Sequence, residues 1–491
     1  MLPAAGFQER LAGILPPERL QDDPALRDSY ALDHSFVQKG RPALIVYPET
    51  SIDVQAIVRA ASATATPLIP VSSGPPHHRG DTVPAHGGAI VDFSRMSRIL
   101  EIDAVSRYAR IEPGVRYPEL IAALKKEGQR ICTPLLPRST KSVLTSILER
   151  EPTLIPKYQY DYMDPLLTLE VVYGTGDDFR TGSASGPGTL ETLKADKVNP
   201  WGPGSIDYFR LLSAAQGSMG LVTWAVIKTE VLPTVQELYF IPAQDVAALV
   251  DCANALLLRR VGDECLILDK INLANILAAH AAGDFDTLKD SLPPWTLIIA
   301  IAGYDRRPDE RMAIQKKYLS ETCTAFDLTP HSSLPGVAGG ANGFLDLLSN
   351  SWREDPHWKL RPARAAHDIF FLAPMSKVAG FTMLMGQIIA EQGYPAEHMG
   401  TYLQPMVQGR GCHCEFTLFP QDSTVAQAAR LEKLILEASQ RLMQAGAFFS
   451  RPYGPWADMV YDAYPEGVAA LKKLKDIFDP SHILNPGRLC L

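Results

Sequence analysis

The apolar residues in the first half of the chain form short runs that alternate with amphipathic segments. A run rich in β-branched residues follows Pro42, a segment with helical spacing comes next, and a second apolar run occupies residues 67–71. This order predicts a β-α-β unit at the start of the fold. Further strands are predicted at residues 88–93, 108–112, 168–173 and 221–232, and a helix at residues 117–127.

The pattern changes after residue 236. Longer helical stretches separate the strand-like runs there, which is typical of an antiparallel sheet covered by helices. Strands are predicted at residues 237–241, 266–271, 295–304 and 413–419, and helices at residues 243–260, 310–322, 377–392 and 424–445. Because 491 residues exceed what one core usually supports, we expect two or three domains. Residues 183–204 predict a surface excursion, and residues 330–342 a flexible loop.

Composition restricts the class of protein. A net charge of -8 argues against a surface that binds nucleic acid through clustered Lys and Arg. The seven cysteines are scattered along the chain, which favours a reducing compartment. The first residues show no secretion signal, and the longest apolar run, residues 292–304, is shorter than the ~20 residues that a membrane span needs. We therefore expect a cytoplasmic protein without a membrane span or a nucleic-acid partner.

The segment from Val71 to Pro84, VSSGPPHHRGDTVP, directly follows a predicted strand. Its small residues and turn formers suit a loop that brings backbone N–H groups close to phosphate oxygens. Taken alone, the segment fits a proline-rich turn equally well.

A series of motifs then continues in a fixed order to the end of the chain. They lie at residues 88–96, 111–120, 142–150, 169–182, 217–223 and 478–488. Together with the loop at 71–84, the series resembles the FAD-linked oxidases. Segments 142–150 and 169–182 are similar to the vanillyl-alcohol oxidase and p-cresol methylhydroxylase branch of that superfamily.

The resemblance implies an α+β fold in which a two-subdomain FAD-binding domain is combined with an antiparallel-sheet substrate (cap) domain covered by helices. The expected division is 1–236 for the FAD-binding domain, 237–445 for the cap, and 446–491 for a C-terminal segment that returns to the FAD domain. The resemblance also implies a set of residues that bind FAD: Ser72, Ser73, Gly74, His77, His78, Gly80, Asp81, Gly217, Ser218, Gly220, Val222, Asn485 and Arg488.

The loop departs from the family pattern where phosphate binding would occur. Pro75 and Pro76 have no N–H to donate, and Asp81 places a carboxylate where a glycine is usual. We expect side chains of the following residues, His77, His78 and Arg79, to compensate. The alternative is weak FAD binding, as in a non-catalytic subunit of a larger complex.

Four residues are candidates for catalysis by their positions in the motifs: Asp161, His413, Arg451 and Arg79. The resemblance implies that Asp161 is a carboxylate beside the flavin, although Asp164 is a rival and a capping role is an alternative. Arg451 would bind an anionic substrate group, or form a surface salt bridge instead. His413 would face the substrate pocket, or be a structural histidine. Arg79 replaces a tyrosine, which favours a carboxylate over a phenolate as the substrate's anion.

Two further expectations concern the cofactor and metals. The family's covalent tether to FAD falls on Asp368 or Ile369, so we expect non-covalent FAD and keep His367 as a minority candidate for a link. Cys412 and Cys414 flank His413, but alternate residues of a strand face opposite sides, so we expect no zinc site.

The sequence therefore predicts an FAD-dependent oxidase or dehydrogenase. It would remove a hydride from a benzylic, allylic or hydroxyl-bearing carbon of a small anionic substrate, such as a 4-alkylphenol or an aromatic acid. A 2-hydroxy-acid dehydrogenase of the glycolate or D-lactate type is an alternative. We expect a homo-oligomer. The resemblance also implies a possible electron-accepting subunit or cytochrome, and because the sequence has no haem-attachment motif, any haem would be on that other chain.

Overall fold

A computed structural model of the chain describes residues 4–157, 165–182, 208–280, 283–337, 343–362, 365–420, 422 and 424–491. The predicted excursion at residues 183–204, the candidates Asp161 and Asp164, and the end of the predicted loop at 330–342 lie outside these ranges.

The first sheet confirms the predicted β-α-β opening. Its strands are β1 (Leu20–Gln21), β2 (Leu44–Val46), β3 (Leu68–Val71) and β4 (Ala89–Asp92), in the order β1-β2-β4-β3. Strands β2, β4 and β3 run parallel, as a helical crossover requires. The accompanying helices are α1 (Ala4–Ala12), α2 (Pro24–Ser29) and α3 (Ser51–Thr64). A capping box of Thr50 and Asp53 fixes the start of α3.

The second sheet is antiparallel and has the order β5-β6-β10-β8-β9. Its strands, and those of a small ribbon formed by β7 and β11, are β5 (Ile99–Asp103), β6 (Tyr108–Ile111), β7 (Gln129–Arg130), β8 (Leu166–Val172), β9 (Asp178–Arg180), β10 (Leu221–Lys228) and β11 (Glu230–Val231). Helices α4 (Tyr117–Lys126) and α5 (Val143–Leu148) contribute apolar side chains to its core. The turn before β10 lies next to β3, because Gly217 packs against Pro70.

The third sheet is antiparallel and has the order β12-β14-β13-β16-β17-β15. Its strands are β12 (Val235–Ala243), β13 (Cys265–Asp269), β14 (Trp295–Gly303), β15 (His367–Pro374), β16 (Met399–Met406) and β17 (Gly411–Leu418). The surrounding helices are α6 (Val246–Leu258), α7 (Lys270–His280), α8 (Phe285–Ser291), α9 (Pro308–Ala325), α10 (Phe344–Leu348), α11 (Val378–Glu391) and α12 (Val425–Gln444). This confirms the predicted α+β fold with a helix-covered antiparallel sheet.

Two details of the third sheet differ from the prediction. Strands β15 and β16 were not predicted, and residues 270 and 271 begin α7 instead of ending a strand. Asp269 caps this helix with its carboxylate, which accepts a hydrogen bond from Asn272 N at 2.9 Å.

The C-terminal residues connect the sheets. Phe449, Tyr453 and Trp456 pack in the core of the third sheet, whereas Ile483 and Leu484 pack in the core of the first. The helices between them are α13 (Pro455–Tyr461) and α14 (Pro465–Phe478). The division at residues 236 and 445 stays a prediction. Of the helices in the described ranges, none combines the length and apolar character that crossing a membrane requires.

Candidate active site

A cleft of about 270 Å³ lies where the three sheets meet. The loop after β3 forms one wall, the segment from Pro134 to Pro152 forms a second, and the turn before β10 forms a third. The remaining wall consists of one face of the third sheet, the short helix Trp358–Leu360, and Arg451. The cleft therefore contacts five of the segments that the motifs had singled out, at residues 71–84, 88–96, 111–120, 142–150 and 217–223, but not those at 169–182 and 478–488.

The loop after β3 divides its residues between the cleft and its own support. Ser72, Ser73, His77, His78 and Asp81 line the cleft. Gly74 and Gly80, the two glycines of this loop that were predicted to bind FAD, do not line the cleft and instead hold the loop in place through their backbone hydrogen bonds. The N–H of Gly74 donates to Thr140 O at 2.8 Å, and the N–H of Gly80 donates to Asp33 Oδ2 at 2.6 Å.

The turn before β10 requires glycine at two positions. Gly217 has a φ of 71°, and a Cβ there would lie 2.2 Å from Pro70 Cγ. A Cβ on Gly220 would lie 2.4 Å from Val171 Cγ2. Both glycines and Val222 line the cleft, so the backbone approaches its interior closely.

Three predicted FAD-binding residues lie behind the wall. Ser218 is fully buried and donates to Ala215 O at 2.7 Å. The Asn485 amide donates to Asp81 O at 3.0 Å and to Gln216 O at 2.6 Å, which joins the two cleft loops. The Arg488 guanidinium donates to Val83 O. These side chains hold the loops in place and do not line the cleft.

Arg79 is part of a charge cluster that the sequence analysis did not find. Its guanidinium lies 3.1 Å from Glu149 Oε2 and 3.3 Å from Glu151 Oε1. Lys141 contacts the same two carboxylates at 2.6 and 3.2 Å, and Ser146 donates to Glu151. The positive charges of Arg79 and Lys141 are balanced by the negative charges of Glu149 and Glu151. Arg79 is therefore not available as a second cation for the substrate, which weakens the expectation that the substrate's anion is a carboxylate.

Arg451 has the opposite surroundings. Its residue is 3% exposed and lines the cleft, and no carboxylate of the described residues lies within ion-pair distance. Its Nη1 is buried and has no hydrogen-bond partner among these residues. Burial, reinforced by the neighbouring Arg79, lowers the pKa of Arg451. A buried cation without an ion-pair partner is costly, so Arg451 is a candidate for binding an anion.

The two faces of β17 have different chemistry. His413, Glu415 and Thr417 alternate with Cys412 and Cys414 along the strand. His413 and Glu415 line the cleft, whereas both cysteines pack in the core of the third sheet. The strand therefore separates the histidine from the cysteines as predicted, and the described residues contain no cluster suited to a metal ion.

His413 belongs to a network of charged side chains on this wall. Its Nε2 lies 3.3 Å from Glu415 Oε2, and Lys359 Nζ lies 2.6 Å from Glu415 Oε1. Lys359 also donates to Asp368 Oδ2 at 2.8 Å. Burial lowers the pKa of His413, although Glu415 acts to raise it. Burial acts to raise the pKa of Glu415, but Lys359 and His413 outweigh it and hold that pKa below its usual value.

The predicted tether positions and the two histidines of the loop after β3 differ in whether they reach the cleft and in their charge. Of the two positions predicted for the family's tether, Asp368 lines the cleft and Ile369 packs in the core of the third sheet. His367 stacks on Phe36 with 4.3 Å between ring centroids and does not line the cleft. Burial and Arg138 lower the pKa of His77 to about 4 and that of His78 well below its usual value. Both histidines are therefore neutral near pH 7 and offer hydrogen bonds but no charge.

Comparisons with known proteins agree with this geometry. Residues 42–150 match the model of the FAD binding domain, and residues 374–489 match the C-terminal domain of FAD linked oxidases. The fold and the cleft define a flavoprotein oxidoreductase. The chain belongs to the FAD-linked oxidase family and is an FAD-dependent enzyme.

Individual relatives are distant, and some match over nearly the whole chain whereas others match over about half of it. The Bacillus subtilis glycolate oxidase subunit GlcD is 24% identical over 98% of this chain and 96% of its own. The 1'-carboxy-chondrochloren decarboxylase of Chondromyces crocatus is 29% identical over 49% of this chain and 42% of its own. Among solved structures, p-cresol methylhydroxylase has a TM-score of 0.80 at 17% identity, covering 100% of this chain and 97% of its own. The predicted branch is thus confirmed at the level of the fold.

The residues of the cleft fit FAD. Gly217 and Gly220 give the close backbone approach that a large planar cofactor needs, and Ser72 and Ser73 offer small polar groups. Arg138 lines the cleft with a buried Nη1 that has no hydrogen-bond partner among the described residues, as expected where a phosphate or a carbonyl oxygen would bind. Arg138 is thus a further candidate for binding FAD, one that sequence reasoning missed, and the compensation for Pro75 and Pro76 stays a prediction.

Proposed function

We propose that this enzyme oxidises a small anionic substrate whose negative group pairs with Arg451. The bond broken would be the C–H bond of a benzylic, allylic or hydroxyl-bearing carbon. FAD, when bound, supplies a two-electron acceptor for the hydride. The chain itself would bind the substrate, orient it and hold its proton.

The single observation that carries this proposal is the lack of a counterion for Arg451. Arg79 and Lys141 are both paired with Glu149 and Glu151, and Arg138, the other cation beside these carboxylates, is the candidate for binding FAD. A guanidinium forms two parallel hydrogen bonds with a carboxylate and also binds a phenolate. An anionic substrate would thus supply the charge that the protein withholds.

His413, on the same wall of the cleft as Arg451, supports the proposal. Because burial keeps its ring neutral near pH 7, it can accept a proton from a substrate hydroxyl as the C–H bond breaks. Asp161 stays a second proposed base on the strength of its position in the motif.

The relatives support both classes of anion. Glycolate, D-lactate and 2-hydroxyglutarate, in the names of curated relatives, are carboxylates. The structural neighbours are named for p-cresol and 4-ethylphenol, which are phenols. A separate electron-accepting chain is part of this proposal, since the Bacillus subtilis relative is named as an oxidase subunit.

Matched substrate pairs test the proposal. The FAD-loaded protein is mixed without oxygen with D-lactate or lactamide, mandelate or mandelamide, and 4-ethylphenol or 4-ethylanisole, and bleaching of the flavin absorbance is followed. We expect bleaching by one of the anionic or ionisable members and not by its neutral partner. Arg451→Met should raise the KM of that substrate roughly 100-fold, since a lost buried charge pair costs about 2–5 kcal/mol.

Arg441→Met is the matched control, because Arg441 pairs with Glu391 on the outside of the protein at 2.5 Å. It should leave KM unchanged. Equal bleaching by the neutral partners, or an unchanged KM in Arg451→Met, would contradict the proposed binding of an anion.

A further inference from the structure

The wall that contains Arg451 also carries four charged or titratable side chains, of which the proposed reaction uses only His413; two of the four are buried and two are half-buried. They come from two neighbouring strands and one short helix: His413 and Glu415 on β17, Asp368 on β15, and Lys359 on the helix Trp358–Leu360. Strand register places Asp368 opposite Thr417, two residues beyond Glu415, so all three side chains share the cleft face.

The contacts form one continuous chain. His413 contacts Glu415, Glu415 contacts Lys359, and Lys359 contacts Asp368, at the distances given above, and Thr417 donates to Asp368 Oδ1 at 2.7 Å. The side chain of Lys359 is 18% exposed and that of His413 is 2% exposed. Such a network is costly to bury unless its charges are matched and its hydrogen bonds are satisfied.

We propose that Glu415 and Lys359 are positioning residues that prepare His413 to accept the substrate's proton at Nδ1. This inference rests on the proposed function. When Nε2 carries the ring hydrogen, it donates to Glu415 and leaves the lone pair on Nδ1. The hydroxyl O–H bond of the substrate breaks, its proton goes to Nδ1, and the two electrons of the C–H bond leave with the hydride for FAD.

Lys359 has a separate task in this arrangement. It lies between two carboxylates, so it keeps Glu415 anionic and able to accept the hydrogen bond. It also opposes protonation of His413, since burial and then Glu415, Arg451 and Lys359 determine the pKa of that ring. Beside the network lies the buried phenol of Tyr402, whose ring centroid is 5.9 Å from that of His413.

The two positioning residues should therefore shift the pH dependence in opposite directions. Glu415→Gln removes the group that raises the pKa of His413, so the acid limb of the flavin-reduction rate should move down by about one pH unit. Lys359→Met removes a group that lowers this pKa, so the limb should move up. Lys377→Met, which replaces an exposed lysine outside the network, should leave the acid limb in place.

A direct measurement does not depend on turnover. Nitrogen NMR of histidine-labelled FAD-loaded protein without substrate, with the signals assigned by His413→Asn, reports which ring nitrogen carries the hydrogen. We expect hydrogen on Nε2 in the unmodified protein and a mixture of tautomers in Glu415→Gln.

Each result has one meaning. Hydrogen on Nδ1 in the unmodified protein, or a shift of both acid limbs in the same direction, overturns the positioning roles even if a substrate is found. If no substrate bleaches the flavin but the tautomers behave as expected, the proposed function fails while the arrangement of His413 stands. If a variant does not fold, the tautomer of the unmodified protein still decides.

Discussion

The guanidinium carbon of Arg451 lies over the ring of Phe370, 4.2 Å from its centroid. Arg79 approaches the same ring at 5.1 Å, and Trp456 packs against it edge-on at 5.1 Å. Phe370 is buried on β15 and faces the cleft side of the third sheet, because its register partner is Glu415. The aromatic ring thus stabilises a cation that has no carboxylate partner in the described residues, and leaves its nitrogens available to a ligand.

Replacing Phe370 should weaken substrate binding without removing it. Phe370→Leu keeps an apolar side chain but loses a buried cation–π contact of about 1–2 kcal/mol, so KM for the anionic substrate should rise roughly tenfold. Steady-state kinetics measure this change. Phe371→Leu is the control, because Phe371 is on the face of β15 that points away from the cleft and packs in the core of the third sheet. This replacement should lower the melting temperature but change KM by no more than about twofold. If Phe370→Leu and Phe371→Leu changed KM equally, the contact between Phe370 and Arg451 would have no specific role in substrate binding.

The C-terminal helix should control the stability of the cleft. Lys475 and Asp479 form a fully buried ion pair at 2.6 Å, and Lys475 also donates to Ser218 O at 2.5 Å and Leu484 O at 2.9 Å. Lys475→Met leaves the carboxylate unpaired, which should cost about 3–5 kcal/mol in unfolding free energy and weaken FAD binding. Denaturant unfolding and flavin titration measure both. The exposed Lys473→Met should change neither.

The fold could be predicted further than the site. Regular apolar patterns identified most strands of the three sheets, and the order of the motifs gave the family. Strand β15 was missed because His367–Pro374 was interpreted only as a tether segment, although Ile369 and Phe371 alternate with Asp368 and Phe370. Residues 270–271 were misassigned because a side-chain cap ends the strand, a signal weaker than the apolar run that crosses it.

The charged residues of the site were harder to find. His413 and Arg451 stood in recognisable motifs, but Glu149 and Lys359 acquire partners only through folding, since Arg79 and Glu149 are 70 residues apart. The contact between Glu415 and His413, by contrast, could have been predicted from the sequence. It follows His413 by two positions on a predicted strand, so both side chains had to share one face.

The turn before β10 should tolerate no side chain at Gly217. Its φ of 71° disfavours other residues, and a Cβ would collide with Pro70. Gly217→Ala should therefore lower the melting temperature and the affinity for FAD together. Gly446→Ala is a control that separates backbone strain from the collision with Pro70, because Gly446 has a φ of 97° but open space around it. That control should cost only the backbone strain of about 1–3 kcal/mol and leave FAD affinity unchanged. A loss of affinity in both variants would show that the turn is not specifically involved.

Asp81 should make the FAD-free protein less stable as the pH rises. Burial, with the nearby Glu149, raises its pKa from 3.8 to about 6. Because the folded-state pKa lies above the unfolded value, the folded protein binds the proton more tightly, and stability declines as the pH rises from about 4 to about 6. Asp81→Asn should abolish that decline in melts at several pH values, whereas the exposed Asp309→Asn should not. The same carboxylate should weaken FAD binding when it is charged, because its negative charge repels the FAD phosphates. Asp81→Asn should therefore tighten FAD binding at pH 7.5, but it should have little effect at pH 5, where Asp81 is mostly protonated. Weaker binding at pH 7.5 would instead make Asp81 a group that FAD requires.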